Sequence, residues 1–309
     1  MPNSTLLSLF QTTMQGMGVM TSGQPATVIG NTAQDVVQTL ALVNSLGGEL
    51  NREFDWQQAR VKNIFEAQFY EYTGNTTSGS SSLTSMSSIT SLDVTFAVEG
   101  AGIPQDSRIS AAPSGTTVVM TREATATAST IDITSSKVLY AVPTDFDRIV
   151  DSTQWDNSRR WSMVGPLTPP MQELMRNGFI SSAPRVRFWQ MGGYFQIWPP
   201  LGDDDVLSYL YQSKYWILAT SPATPAPTKE IYTVDTDTCI FPDPLMRALI
   251  KLKYLEAKGL DTTAVYRDFT RQLDIAKAND AGSPDLSMAP RMENVLIGWE
   301  NIPDSGYGS

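Results

Sequence analysis

The chain has 309 residues, 41% of them apolar, enough for one large domain or two modest ones with a real buried core. Charged residues make up only 17% against ~25% in ordinary globular domains, and the net charge of −10 argues against clamping nucleic acid by phosphate neutralisation. The absence of histidine excludes Ser-His-Asp and Cys-His nucleophile systems and His-ligated zinc, and the single cysteine, Cys239, excludes an intrachain disulfide.

Met1 to Met20 carries no basic stretch ahead of its apolar residues, and no apolar run is long enough for a bilayer, so neither a signal peptide nor a membrane span is expected. Asn31 and Thr32 are N-cap candidates for a helix over 33–52, in which Val36, Leu40, Val43, Leu46 and Leu50 recur at helical spacing. Gly47 and Gly48 weaken its second half. Trp56, Ala59 and Val61 continue as a short connector, and the segment from Lys62 to Tyr72 suits a strand as well as a helix. Residues 75–91 are nearly all Ser, Thr, Gly and Asn, which is linker composition. Alternating Val94, Phe96 and Val98, with Val118 to Thr121 and Ile131 to Ile133, then predict a small all-β domain over 92–138.

Thr168 with Pro169 predicts a helix start and Gly178 its end. Val186 and Phe188, then Phe195 and Ile197 across a Gly192-Gly193 turn, then Leu207, Tyr209 and Tyr211 predict an antiparallel meander of three strands, broken by Pro199 and Pro200 between the second and the third. Asp243-Pro244 opens a helix closed by Gly259, and Asp261 caps a partner carrying Val265, Phe269, Leu273 and Ala276, which together predict an antiparallel hairpin. Arg247, Lys251 and Lys258 fall on one side of the first of these helices, a solvated stripe or a basic face for a partner or DNA. In the Pro- and Gly-rich tail, Val295, Leu296, Ile297 and Trp299 form an apolar cluster expected to dock on its own domain or on a neighbour.

The fold class expected is therefore α+β: a helical bundle or hairpin with an antiparallel β-meander, plus a small inserted all-β domain. The core occupies 1–75 and 139–280, the Ser/Thr-rich linker and insertion 76–138, and an extended docking arm 281–309. Asp235-Thr-Asp237 opens like a calcium loop but has Ile240 and Met246 where Gly and Glu belong, so turn and capping carboxylates are the simpler reading. Asp203, Asp204 and Asp205 read as an exposed turn, Trp189, Trp198 and Trp216 as core, and Cys239 as a small apolar filler. No phosphate-cradling glycine loop, metal site or cofactor motif is found, and no catalytic residue is assigned.

The stretch Val142-Pro-Thr-Asp-Phe-Asp-Arg148, followed by Thr153-Gln-Trp155-Asp156 and Gly165-Pro166-Leu167-Thr168-Pro169, resembles a motif of bacteriophage head-to-tail adaptor proteins, including the tail tubular protein A family of short-tailed phages. Val186-Arg-Phe188, Ile197-Trp-Pro199, Tyr209-Leu-Tyr211 and Tyr254-Leu-Glu-Ala-Lys258-Gly259 agree in order. Pro170-Met171 departs from the pattern, standing where an acid and a tryptophan are expected.

The resemblance marks Pro143, Asp145, Phe146, Arg148, Trp155, Gly165, Pro166, Thr168 and Pro169 as structural motif residues. It implies a non-enzymatic virion protein, made in the host bacterial cytoplasm and placed at the head-tail junction. There it would form a homo-oligomeric ring, generally of twelve copies, between the portal protein and a downstream tail protein, with DNA passing through unrecognised. Two other readings are weighed beside it: a carbohydrate-binding tail protein, from the tryptophans and the β-insertion, and a hydrolase using the carboxylates of Glu49 and Glu53.

Overall fold

The computed structural model describes residues 3–18, 24–176, 185–202, 205–219 and 226–280. Along the chain come helices α1 (Leu6–Met17) and α2 (Gln34–Glu53), then strands β1 (Arg60–Glu66), β2 (Phe69–Thr76), β3 (Ser82–Leu83), β4 (Phe96–Gly100) and β5 (Val118–Val119). After these come β6 (Ala128–Lys137), β7 (Leu139–Ala141), β8 (Phe146–Ile149), β9 (Trp155–Asp156) and β10 (Trp161–Ser162). Helix α3 (Pro169–Arg176) precedes β11 (Arg187–Met191), β12 (Tyr194–Trp198), β13 (Val206–Ser213), β14 (Ile217–Leu218) and β15 (Thr238–Cys239), and helices α4 (Asp243–Lys258) and α5 (Thr263–Asp280) follow. The fold is α+β, and the pairs β9–β10, β11–β12, β7–β12, β8–β13, β9–β13, β14–β15, β2–β6, β3–β5 and β4–β6 are antiparallel.

Two compact units are present. Among the described residues, the first takes the chain up to Val61, Asp145–Ile149, and Tyr211 onward to 280; the second takes Lys62–Thr144 and Val150–Leu210.

The first unit is mainly helical. Helix α4 buries Leu245, Leu249 and Leu252 as its periodicity predicts, but also Met246, Ala248, Ile250 and Tyr254, because α1, α2 and α5 all pack on it. A helix enclosed on several sides needs apolar residues beyond one stripe. Helix α5 follows after a four-residue connection, with Asp261 accepting from the Thr263 N–H at 3.0 Å, and its stripe buries fully only at Leu273 and Ala276.

One expectation for this unit is corrected, and one element was not expected. Helix α2 spans the predicted range, but its N-cap is Ala33 with no side-chain bond; Asn31 instead accepts from the Ala33 N–H at 2.8 Å. Helix α1 has no counterpart among the expected elements. It is capped by Thr5, closed by Gly18 in the left-handed region, and buries Leu6, Leu9, Phe10 and Met14.

In the second unit, β2, β6 and β4 form one sheet and β3 pairs with β5, over a core that includes Leu83, Phe96, Val98, Val118 and Ile133. The tract 75–91, expected as a linker, is folded: Leu83, Met86 and Ile89 are buried within it, and Asn75 exchanges backbone bonds with Thr84. Three apolar residues at intervals of three pin a Ser/Thr-rich strip, and the Gly79, Thr84 and Met86 N–H groups find backbone carbonyls. The ambiguous segment from Lys62 to Tyr72 forms strands, β2 beginning at Phe69.

The β11–β12 hairpin turns on Gly192 and Gly193, with φ of 63° and 79°, the two positive values that a tight two-residue hairpin turn requires. The third meander strand is not its continuation. β12 pairs on its other side with β7, whereas the Leu207–Ser208 stretch of β13 pairs with β9 and its Tyr211–Ser213 stretch with β8. Pro199 and Pro200 supply no N–H to extend the ladder, and the chain leaves the hairpin there. Helix α3 lays Met175 on Trp189 and Trp198; its predicted end at Gly178 lies outside the described residues.

Candidate functional site

The motif residues divide between the two units. Asp145, Phe146 and Arg148 belong to the first, where they fasten β8 between the end of α2 and β13. Asp145 accepts from the Tyr211 hydroxyl (2.8 and 3.0 Å) and from Ser213 Oγ (2.8 Å), and its backbone carbonyl accepts from the Lys214 N–H at 2.7 Å. Phe146 packs on the Tyr211 ring, with centroids 5.6 Å apart.

Arg148 donates through Nε and Nη2 to Asp55 at 3.0 and 2.6 Å, to the Phe54 carbonyl at 3.3 Å, and through Nη1 to Asp147 at 2.9 Å. Asp147 in turn accepts from Arg52 Nε at 3.1 Å. The forked guanidinium thereby joins two strand residues to the helix exit, a geometry that lysine cannot reproduce. Asn51 adds a buried bond to the Ser213 carbonyl, and Gln212 one to the Trp56 carbonyl.

In the second unit Pro143 is half-buried in the connection after β7, and Trp155 sits on β9 opposite Ser162 and Ser208. Gly165 lies against the Phe188 backbone: a Cβ there would fall 2.4 Å from the Phe188 carbonyl oxygen. That close approach lets the Val164 and Leu167 N–H groups reach the carbonyls of Val186 and Phe188. Pro166 follows a cis peptide bond, and the Thr168 carbonyl accepts from the Gln172 N–H at the start of α3, where Pro169 occupies the first turn.

The basic stripe on α4 is largely neutralised. Arg247 pairs with Asp243 at 3.7 Å, and Lys258 donates to Asp35 at 3.0 Å while lying over the Tyr254 ring. The bond to Asp35, reinforced by its charge, holds the Lys258 ammonium above the usual lysine range. Lys251 lies beside Gly16 of α1. The docking residues Val295, Leu296, Ile297 and Trp299 lie outside the described residues, as does the whole of 281–309.

Asp235 and Asp237 act as loop staples. Asp235 accepts from the Val28 and Ile29 N–H groups at 3.0 and 2.8 Å; the buried Asp237 accepts from Lys229 Nζ at 2.8 Å and from the Val234 N–H at 3.1 Å. Nothing in the sequence around either residue showed which distant segment it would hold. Among the described residues no cluster of acidic or cysteine side chains is arranged to hold a metal ion. Trp189, Trp198 and Trp216 are interior, with at most 1% of their surface exposed, so none offers a face to a sugar. Glu49 is exposed, and Glu53 pairs with Lys277 at 2.8 Å. Asp205 pairs with Arg159, while Asp203 and Asp204 lie outside the described residues.

Cys239 is buried on β15, and burial pushes its thiol up to about 11. With so little thiolate near neutral pH, alkylation by iodoacetamide should proceed only as fast as the first unit unfolds. A native chain labelled at the rate of a free thiol would contradict this placement.

No family model matches the chain, and no curated protein matches it. Among the described residues no helix is long and apolar enough to cross a membrane.

Proposed function

We propose that this chain is a structural protein of a tailed-phage particle, a head-to-tail adaptor that packs against copies of itself in a ring between the portal and the next tail component. The observation that carries the reading is the use made of Asp145, Phe146 and Arg148, the stretch where the resemblance is densest. The side chains of Asp145 and Arg148 are committed to Tyr211, Ser213, Asp55 and Asp147, and Phe146 to the Tyr211 ring, so the motif serves to hold a strand in place. A motif spent on rigidity suits a subunit whose work is binding geometry. In a ring each copy uses two different surfaces, closed by rotation, and an acidic chain lining a channel would repel DNA and let it slide.

The test is native mass spectrometry and electron microscopy of the purified chain mixed with the portal protein from the same particle. The expected result is a portal-bound ring of copies. A portal that stays bare at saturating concentrations of the chain would overturn the reading.

A further inference from the structure

The β2–β6–β4 sheet has one closed edge and one open one. The Lys137 N–H donates to the Gln68 carbonyl at 2.9 Å, and the register pairs Phe69 with Ser136, Tyr70 with Ser135 and Glu71 with Thr134. Antiparallel pairing alternates, so the peptide groups of Gln68, Tyr70 and Tyr72 turn toward β6 and those of Phe69, Glu71 and Thr73 turn outward. Asn75, next in that outward series, exchanges bonds of 2.8 and 3.1 Å with Thr84. Ser85 and Ser88 follow, both at positive φ, and no described strand pairs with the outer side of β2 over 69–73. The far edge, β4, is covered: the Val98 N–H reaches the Ser107 carbonyl and the Ile109 N–H the Phe96 carbonyl.

Beside the open edge is a groove of about 560 Å³, lined by Glu71, Thr73, Asp132 and Thr134 with Ser87 and Ser88. The register places Glu71 opposite Thr134 and Thr73 opposite Asp132, so the two carboxylates share one sheet face on a diagonal. No cation among the described residues pairs with either.

We propose that this edge docks an extended, Lys- or Arg-bearing segment of a partner protein, which adds to the sheet as a further strand. Main-chain groups of Phe69, Glu71 and Thr73 supply the ladder. Side chains of an added strand alternate between faces, so those beside Glu71 and Asp132 are basic and those on the side of Tyr70 and Tyr72 are apolar. A second copy is the poorer occupant, because it would bring the same acidic edge against Glu71. Charged edges also serve to discourage unwanted pairing, and the experiment separates that role from docking. The proposal does not depend on the adaptor reading.

The full chain is titrated with an acetylated Lys-Val-Lys-Val-Lys-Val peptide and with its Glu-Val counterpart, following hydrogen exchange and fluorescence anisotropy. The Lys-Val peptide is expected to slow exchange of the Glu71 and Thr73 amides at least tenfold. Thr73→Pro removes an outward N–H without altering charge and is expected to weaken binding at least tenfold; the double variant E71Q/D132N weakens it with the edge intact. Unchanged exchange at those two amides in the unaltered chain, equal binding by Thr73→Pro, or equal binding of the Glu-Val peptide would overturn the proposal. A concentration-dependent dimer abolished by Thr73→Pro would also overturn it, in favour of a second copy.

Discussion

Replacing Gly47 with alanine should lower the stability of the first unit by about 2–3 kcal/mol, while the same change at its neighbour Gly48 should raise it by about 0.5–1 kcal/mol. Both glycines lie inside α2, and helix propensity alone would make both changes favourable. Their surroundings reverse the sign at one of them. A Cβ on Gly47 would lie 2.1 Å from the Trp216 ring, whereas one on Gly48 would meet nothing within 4 Å.

Trp216 cannot move aside cheaply. It is fully buried, stacked on Phe241 with centroids 5.7 Å apart and edge-on to Tyr232 at 5.2 Å, and its backbone N–H donates to the Lys229 carbonyl. A new methyl group must therefore displace α2 or force the indole off its rotamer, and either is a case of overpacking. Urea unfolding of the two variants provides the measurement. A stabilised Gly47→Ala variant would mean that the tryptophan does not rest on the helix.

The glycine pair also shows why part of the molecule was legible in the sequence and part was not. Periodicity with its end signals located α2 and α4 within a residue or two, since burial of one face is written into the spacing of Val36, Val43 and Leu50 or of Leu245, Leu249 and Leu252. The Gly192-Gly193 turn was equally readable, because few residues adopt its two positive φ values. Long-range partners were not.

Gly47 looked like a weak point in a helix, and only the tryptophan 169 positions later explains it. The second partner of β12 is β7, more than fifty residues upstream, and nothing local to Tyr194–Trp198 distinguishes it from β13. Composition misled at 75–91, where abundant Ser and Thr masked the anchoring done by Leu83, Met86 and Ile89. Of the motif residues, Asp145 and Arg148 could be singled out from sequence, but their partners Tyr211, Ser213 and Asp55 lie far along the chain.

The second large effect is expected at the Lys229–Asp237 pair. Lys229→Met should destabilise the first unit by about 2–3 kcal/mol, toward the lower side of the range for breaking a buried ion pair. The Asp237 side chain is 1% exposed and would lose the ammonium beside it. The loss stays below the upper limit because the Thr233 and Val234 N–H groups still donate to that carboxylate and the lysine is one-quarter exposed.

The damage should also spread in a defined direction. Lys229 pairs through its backbone with Ile217, and the loop closed by the ion pair carries Asp235 to the Val28 and Ile29 amides. The same loop presents the carbonyls of Asp237 and Asp235 to the Leu6 and Leu7 N–H groups at the start of α1. Hydrogen exchange in Lys229→Met should therefore accelerate at Leu6, Leu7, Val28 and Ile29 before it accelerates in α4. The double variant Lys229→Met with Asp237→Leu should recover part of the lost stability, since an apolar pair leaves no uncompensated charge and the exposed loop amides can turn to water. Uniform acceleration across the unit, or a double variant no better than the single one, would show that the ion pair does not govern the loop.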